Sequence, residues 1–152
     1  MKTPRWTAAV ALLLTMAFQA NGQNDSSKVV KVEIKAEGGS IAGQKSFSVQ
    51  LTIEKGWHVY ANPAGNPDLA TAQTTVTVKS DGKTLPCKVT YPLGHLVKDP
   101  IVGDYITYEG KVAIKGTVTL PPDVKAAEVV VKFQACNDKT CLPPALTSLK
   151  LP

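Results

Sequence analysis

Two cysteines near the C-terminus, Cys136 and Cys141, are separated by the polar segment Asn137-Asp138-Lys139-Thr140. Paired thiols at such a distance can form a disulfide, exchange it with other thiols, or hold a soft metal ion. Fully extended, five residue steps span about 17 Å, whereas a disulfide requires Cα atoms roughly 4.4 to 6.8 Å apart. A bridge here requires the chain to fold back, a turn that Asn and Asp favour. Pro143-Pro144 stiffens the exit and withholds two backbone donors.

Such a bridge is a poor staple, because closing a loop of about six residues is worth only about 2 kcal/mol. Short, exposed bridges are also the class most easily reduced. Spacing alone therefore leaves a redox-active pair and a passive structural bond equally open. A third reading joins the thiolates to His58 and His95 as a zinc or copper site, but four intervening residues lie at the edge of zinc-ligand spacing and no second ligand pair is close in sequence. Both histidines read instead as surface or packing residues. The remaining cysteine, Cys87, shares a strand face with Leu85 and Val89 and reads as a small buried hydrophobe.

The chain around these thiols has 152 residues and a formal charge of +5. Lys2 and Arg5 precede an apolar run from Ala8 to Phe18 and the small residues Ala20 and Gly22. This is the pattern of a secretory signal peptide over residues 1–22, with a mature, exported and soluble domain over 23–152 that carries no membrane span. The apolar run is about half of what a bilayer-crossing helix needs. Cleavage would leave 15 lysines against 12 carboxylates and no arginine. With the lysines dispersed and the bidentate arginine fork absent, nucleic-acid binding is not expected. Both methionines would leave with the signal, which excludes a methionine-rich copper site.

The elements that must position the thiols are strands. Val30, Val32, Ile34 and Ala36 alternate with polar residues, as do Phe47, Val49, Leu51 and Ile53. Val76 and Val78 share a face of a strand that meets the next through Asp81-Gly82, a strong hairpin signal. Leu85, Cys87, Val89 and Tyr91 share the face of that next strand. Tyr105–Tyr108 and Val112–Leu120 flank a second hairpin candidate at Glu109-Gly110, Val129–Cys136 forms the most apolar strand, and Leu149 and Leu151 lie in a short last one. Along Val129–Cys136 the period of two turns Val129, Val131, Phe133 and Ala135 inward and Cys136 away from that core. Seven to nine short strands with no sustained helical pattern predict an all-β, antiparallel β-sandwich in one domain, with a small barrel as the alternative.

Four segments carry a resemblance to a known family: Gly56-Trp57-His58-Val59-Tyr60-Ala61-Asn62-Pro63, Tyr91-Pro92, the stretch from Gly103 to Gly110, and Phe133-Gln134-Ala135-Cys136…Cys141-Leu142-Pro143-Pro144. From about Val30 to the C-terminus the chain resembles the N-terminal periplasmic domain of the DsbD thiol:disulfide interchange proteins. The resemblance implies an immunoglobulin-like sandwich whose redox-active pair, matched by Cys136 and Cys141, relays reducing equivalents and needs no cofactor beyond its own disulfide. It further implies Cys141 as the partner-facing sulfur and Cys136 as the resolving one. The family's shielding loop corresponds by order to Asp99, Pro100, Ile101, Val102 and Gly103, with Ile101 and Val102 where an aromatic residue often stands. Tyr60, Tyr105 and Tyr108 are candidate pocket walls.

Family members commonly continue into a multi-span membrane segment and a thioredoxin-like domain, neither of which is among these 152 residues. The expected partners are therefore a separate membrane or thioredoxin-like thiol reductase and exported thiol proteins. The competing reading from another functional class is an immunoglobulin-like interaction domain with an inert bridge.

Overall fold

Alternating apolar residues produce twelve strands in the computed structural model, which describes residues 24–38 and 41–152. The expected signal peptide lies outside the described residues. In chain order the strands are β1 (Val30–Glu37), β2 (Gln44–Ile53), β3 (His58–Tyr60), β4 (Thr75–Ser80), β5 (Lys83–Leu85), β6 (Cys87–Thr90), β7 (His95–Val97), β8 (Tyr105–Tyr108), β9 (Lys111–Thr119), β10 (Glu128–Phe133), β11 (Ala135–Cys136) and β12 (Ala145–Lys150). All ladders are antiparallel, in the orders β1-β2-β9-β6, β12-β10-β4-β5 and β11-β3-β8-β7. This is an antiparallel β-sandwich, as the alternation predicts, and an immunoglobulin-like one, as the family resemblance implies.

The core lies between inward faces. Phe47, Val49, Leu51 and Ile114 from one sheet meet Val76, Val78, Val129, Val131 and Phe133 from another, all at most 4% exposed. Phe47 stands directly across from Gly116, and a Cβ there would lie 2.2 Å from the ring's Cζ. Only glycine leaves room for the ring to approach β9 this closely. Asp81 (φ 47°) and Gly82 (φ 75°) form the β4–β5 turn, both left-handed as a tight two-residue hairpin requires.

Two segments that read as single strands are each divided between sheets. Pro86 separates β5 from β6, which pair with β4 and β9 respectively; without an N–H, Pro86 cannot continue either ladder. Gln134 separates β10 from β11, which leaves the β4 and β12 ladders to pair with β3. These divisions, and the short strands β3 and β7, which show no alternation long enough to read as strands, account for twelve strands where seven to nine are expected.

The third sheet is assembled from both of the others. β3 follows β2 through the turn at Gly56 (φ 86°), β8 precedes β9 through Gly110 (φ 62°), and β11 follows β10. Strands next in sequence to those of both main sheets thus meet in one four-stranded ladder, and the cysteine pair lies at its edge.

Candidate functional site

Cys136 and Cys141 are disulfide-bonded, with Cα atoms 4.0 Å apart. They face one another as an isolated antiparallel pair, flanked by the hydrogen bonds Asn137 N to Thr140 O and Leu142 N to Ala135 O, both 2.9 Å. This is the non-hydrogen-bonded position of a hairpin, where opposed side chains approach most closely. The intervening polar residues form its turn. The Asn137 side-chain oxygen accepts from the backbone N–H of Lys139 and of Thr140, each at 2.9 Å, so the turn residues read from the sequence hold the two sulfurs together.

The two cysteines differ in environment. Cys141 is exposed, whereas Cys136 is 2% exposed. Cys136 does lie on the face opposite Ala135, as the period of two requires, but that face is covered rather than open to solvent. β3 provides the cover. His58 is the direct cross-strand partner of Cys136. Two residues along, Tyr60 turns to the same side and its hydroxyl lies 3.6 Å from the Cys136 Sγ. A disulfide sulfur carries no proton, so the Tyr60 O–H is the donor.

Tyr60 is held edge-on by two rings, His58 at 6.0 Å and Tyr105 at 5.7 Å between centroids. Burial, reinforced by Tyr105, raises the Tyr60 phenol above its ordinary pKa, so it remains a proton donor near neutrality. Tyr105 is raised by burial and by the carboxylates of Asp99 and Asp138. Burial lowers the pKa of His58, against the opposing pull of Glu109 and Asp138, so the imidazole is neutral at pH 7.

Two of the three tyrosines expected as pocket walls therefore come together, Tyr60 against Cys136 and Tyr105 against Tyr60, and the third does not join them. Tyr108 pairs with Val59 and faces the core, 2% exposed, with its hydroxyl donating to Pro92 O at 2.9 Å. Alternation decides this: Tyr105 and Tyr108 are three residues apart and fall on opposite faces of β8.

The loop expected to shield the pair connects β7 to β8. Asp99 organises it, its Oδ1 accepting from Ile101 N at 2.7 Å and Val102 N at 3.0 Å. These bonds hold the Asp99 carboxyl below its usual pKa. Gly103 N donates to Asp99 O at 3.0 Å, and Asn66 Nδ2 donates to Val102 O at 2.7 Å. Pro100 and Gly103 are exposed, Ile101 is 91% exposed and Val102 51%. Both apolar side chains thus lie largely in solvent, while β3 lies against Cys136.

Cys87 is remote from this site. It pairs with Val118 near the far end of β9, whereas β8 joins β9 at Lys111, a run of about 24 Å along the strand. It is half-buried rather than fully buried, because Pro86 parts its strand from that of Leu85 and leaves it on an edge, and burial raises its thiol pKa. Among the described residues, no group of three or more His, Cys, Asp or Glu side chains could hold a metal ion.

The sequence profile of the family described as thiol:disulfide interchange protein DsbD, N-terminal, matches residues 17–151. The chain belongs to this family. Solved structures similar to it include the following three. The N-terminal domain of DsbD from Neisseria meningitidis, in its reduced form, is 17% identical, with a TM-score of 0.55 over 82% of this chain and 85% of that one. A complex between the DsbD N-terminal and PilB N-terminal domains from Neisseria meningitidis gives 14% identity and a TM-score of 0.50 over 77% and 80%. The N-terminal periplasmic domain of ScsB from Proteus mirabilis gives 14% identity and a TM-score of 0.57 over 85% of this chain and 50% of that one. At these identities the likeness to each structure is one of fold. No curated protein sequence matches significantly.

Within this DsbD-type frame, the site includes one residue that its local sequence does not single out. His58 reads as a packing histidine, yet it stands directly across from Cys136. Its place two residues before Tyr60 in an alternating segment was the available signal. What was missing was the pairing of β3 with β11, which joins residues 78 positions apart.

Proposed function

We propose that this domain is an exported thiol–disulfide exchange module, acting in the periplasm, that passes reducing equivalents from a membrane or thioredoxin-like thiol reductase to exported partner proteins through Cys136 and Cys141. The observation that carries this reading is the asymmetry of the bridge: one sulfur exposed, the other buried against a phenol donor.

Loading begins when a donor thiolate attacks the exposed Cys141 Sγ. The Cys136–Cys141 bond breaks, Cys136 leaves as a thiolate, and a mixed disulfide joins the donor to Cys141. The Tyr60 O–H is placed to hydrogen-bond the departing Cys136 sulfur as its charge develops, the moment at which a fixed donor is most useful. A second donor thiolate attacks its own sulfur in the mixed disulfide and releases Cys141, leaving the domain as a dithiol. Delivery is the reverse sequence on a partner disulfide: Cys141 attacks, and Cys136 resolves. The complex of a Neisseria DsbD N-terminal domain with a PilB N-terminal domain supports a protein rather than a small molecule as the docking partner.

The decisive experiment is trapping. In a Cys136→Ser variant, Cys141 has no internal partner and should accumulate a mixed disulfide with the partner's thiol, identifiable after purification. A reduction potential of the wild-type pair below about −300 mV would mark a bond resistant to the thiol pool. That result would leave an interaction domain with an inert bridge.

A further inference from the structure

Just inside the disulfide, the cysteine hairpin is completed by a residue from the other end of the described chain. Ala135 O accepts from Leu142 N, but Ala135 N does not return the bond to Leu142 O as a regular ladder would. It donates instead to the Ser26 hydroxyl at 2.8 Å. That hydroxyl donates onward to Pro143 O at 2.8 Å, and the Ser26 backbone N–H reaches the same carbonyl at 2.9 Å. Leu142 O is taken up by Gln134 Nε2 at 3.1 Å. Ser26 is wholly buried and spans 109 and 117 residues of sequence to its two partners.

Ser26 thus bridges the two strands at the point where they would otherwise diverge. It is presented by a short 3₁₀ turn, Ser26–Lys28, whose N-cap Asp25 accepts from Ser27 N at 2.9 Å. We infer that Ser26 is a positioning residue of the thiol pair, a strap that keeps the Cys136 and Cys141 strands in register after their disulfide has opened, so that Cys136 can resolve a mixed disulfide on Cys141. The inference rests on reading that pair as the exchange pair.

The physical reason is a difference between redox states. In the oxidised domain the covalent bond already holds the strands, and the strap is partly redundant. In the dithiol and in the mixed disulfide no bond joins them, and the remaining restraints set the effective concentration of one sulfur at the other. Resolution consists of Cys136 thiolate, its proton lost to water, attacking Cys141 Sγ. The intramolecular disulfide forms, the Cys141–partner bond breaks, and the partner sulfur leaves as a thiolate. Loosening the strap lowers the frequency of that attack but leaves the exposed Cys141 as available to outside thiols as before.

The test uses the mature domain in a Cys87→Ser background, with glutathione as the probe. Ser26→Ala should lower the equilibrium constant for forming the Cys136–Cys141 bond against glutathione about five- to tenfold, and slow resolution of the Cys141–glutathione mixed disulfide to match, so that this species accumulates. Attack of glutathione on Cys141 should change less than about twofold. A variant with lowered thermal stability but an unchanged equilibrium constant and resolution rate would overturn the inference and leave Ser26 a structural brace. If Ser26→Ala does not fold, Asp25→Ala, which loosens the exposed turn presenting Ser26, is measured against the same two outcomes. Because glutathione replaces the protein partner, the result is independent of whether Cys136→Ser traps one. A shift in Ser26→Ala with no trapped partner would count against the relay and not against the strap.

Discussion

The Tyr60 hydroxyl lies 3.6 Å from the Cys136 sulfur, with β3 carrying the phenol and β11 the thiol. The buried end of the disulfide is therefore the end with a hydrogen-bond donor. Tyr60→Phe keeps the ring that packs against His58 and Tyr105 and removes only that donor. Loss of one hydrogen bond to a developing thiolate should slow thiol attack on the bridge about tenfold. The rate of reduction by a small thiol, followed by stopped flow, checks this; an unchanged rate would show that the phenol is only a cover.

Exposure predicts which sulfur outside reagents find first. In the reduced protein, Cys141 should react with an alkylating agent at least about tenfold faster than Cys136, read by mass mapping of the modified peptides. Equal rates would remove the basis for assigning Cys141 as the partner-facing thiol.

Cys87→Ser should leave exchange rates unchanged and alter stability by no more than about 1 kcal/mol, because the thiol sits half-buried on an edge strand and its hydrogen bond to Lys88 O, at 3.8 Å, is weak. Activity assays and urea unfolding of the variant test both statements. A loss of exchange would mean that the wrong thiols have been assigned.

Protonating His58 should cost stability. Its folded pKa is lowered below the usual 6.5, first by burial, so the unfolded chain binds more protons in the window just beneath that value. Stability contributed by the neutral imidazole is complete above pH 6.5 and declines as the pH falls through the window. His58→Gln should flatten this decline. Urea midpoints of both proteins at about pH 7.5 and pH 5 give the comparison, and parallel slopes would contradict it.

Gly116→Ala should destabilise the domain by about 1 to 3 kcal/mol, since the new methyl would meet the Phe47 ring at 2.2 to 2.8 Å. The same substitution paired with Phe47→Leu should recover part of the loss. Thermal melts of the single and double variants measure the coupling, and additive effects would show that the two side chains do not share the space.

Much of this molecule was legible before any coordinates, because strand faces obey a local rule. A period of two is written in consecutive residues, so Phe47, Val49, Leu51 and Ile53 declare a buried face wherever their strand goes. The hairpin at Asp81-Gly82, the turn-forming residues between Cys136 and Cys141, and the motif around those cysteines are local in the same sense. Local patterning was therefore enough for the all-β class and for picking out the candidate thiols. What covers those thiols is a matter of which strands pair, and pairing joins residues with no local relation. His58 meets Cys136, Tyr60 reaches its sulfur, and Ser26 ties its strand to Pro143 only because β3, β11 and the 3₁₀ turn converge in space. Tyr108 turned inward and Ile101 stayed in solvent for the same reason: a side chain's face is set locally, but what lies on that face is decided by the rest of the fold.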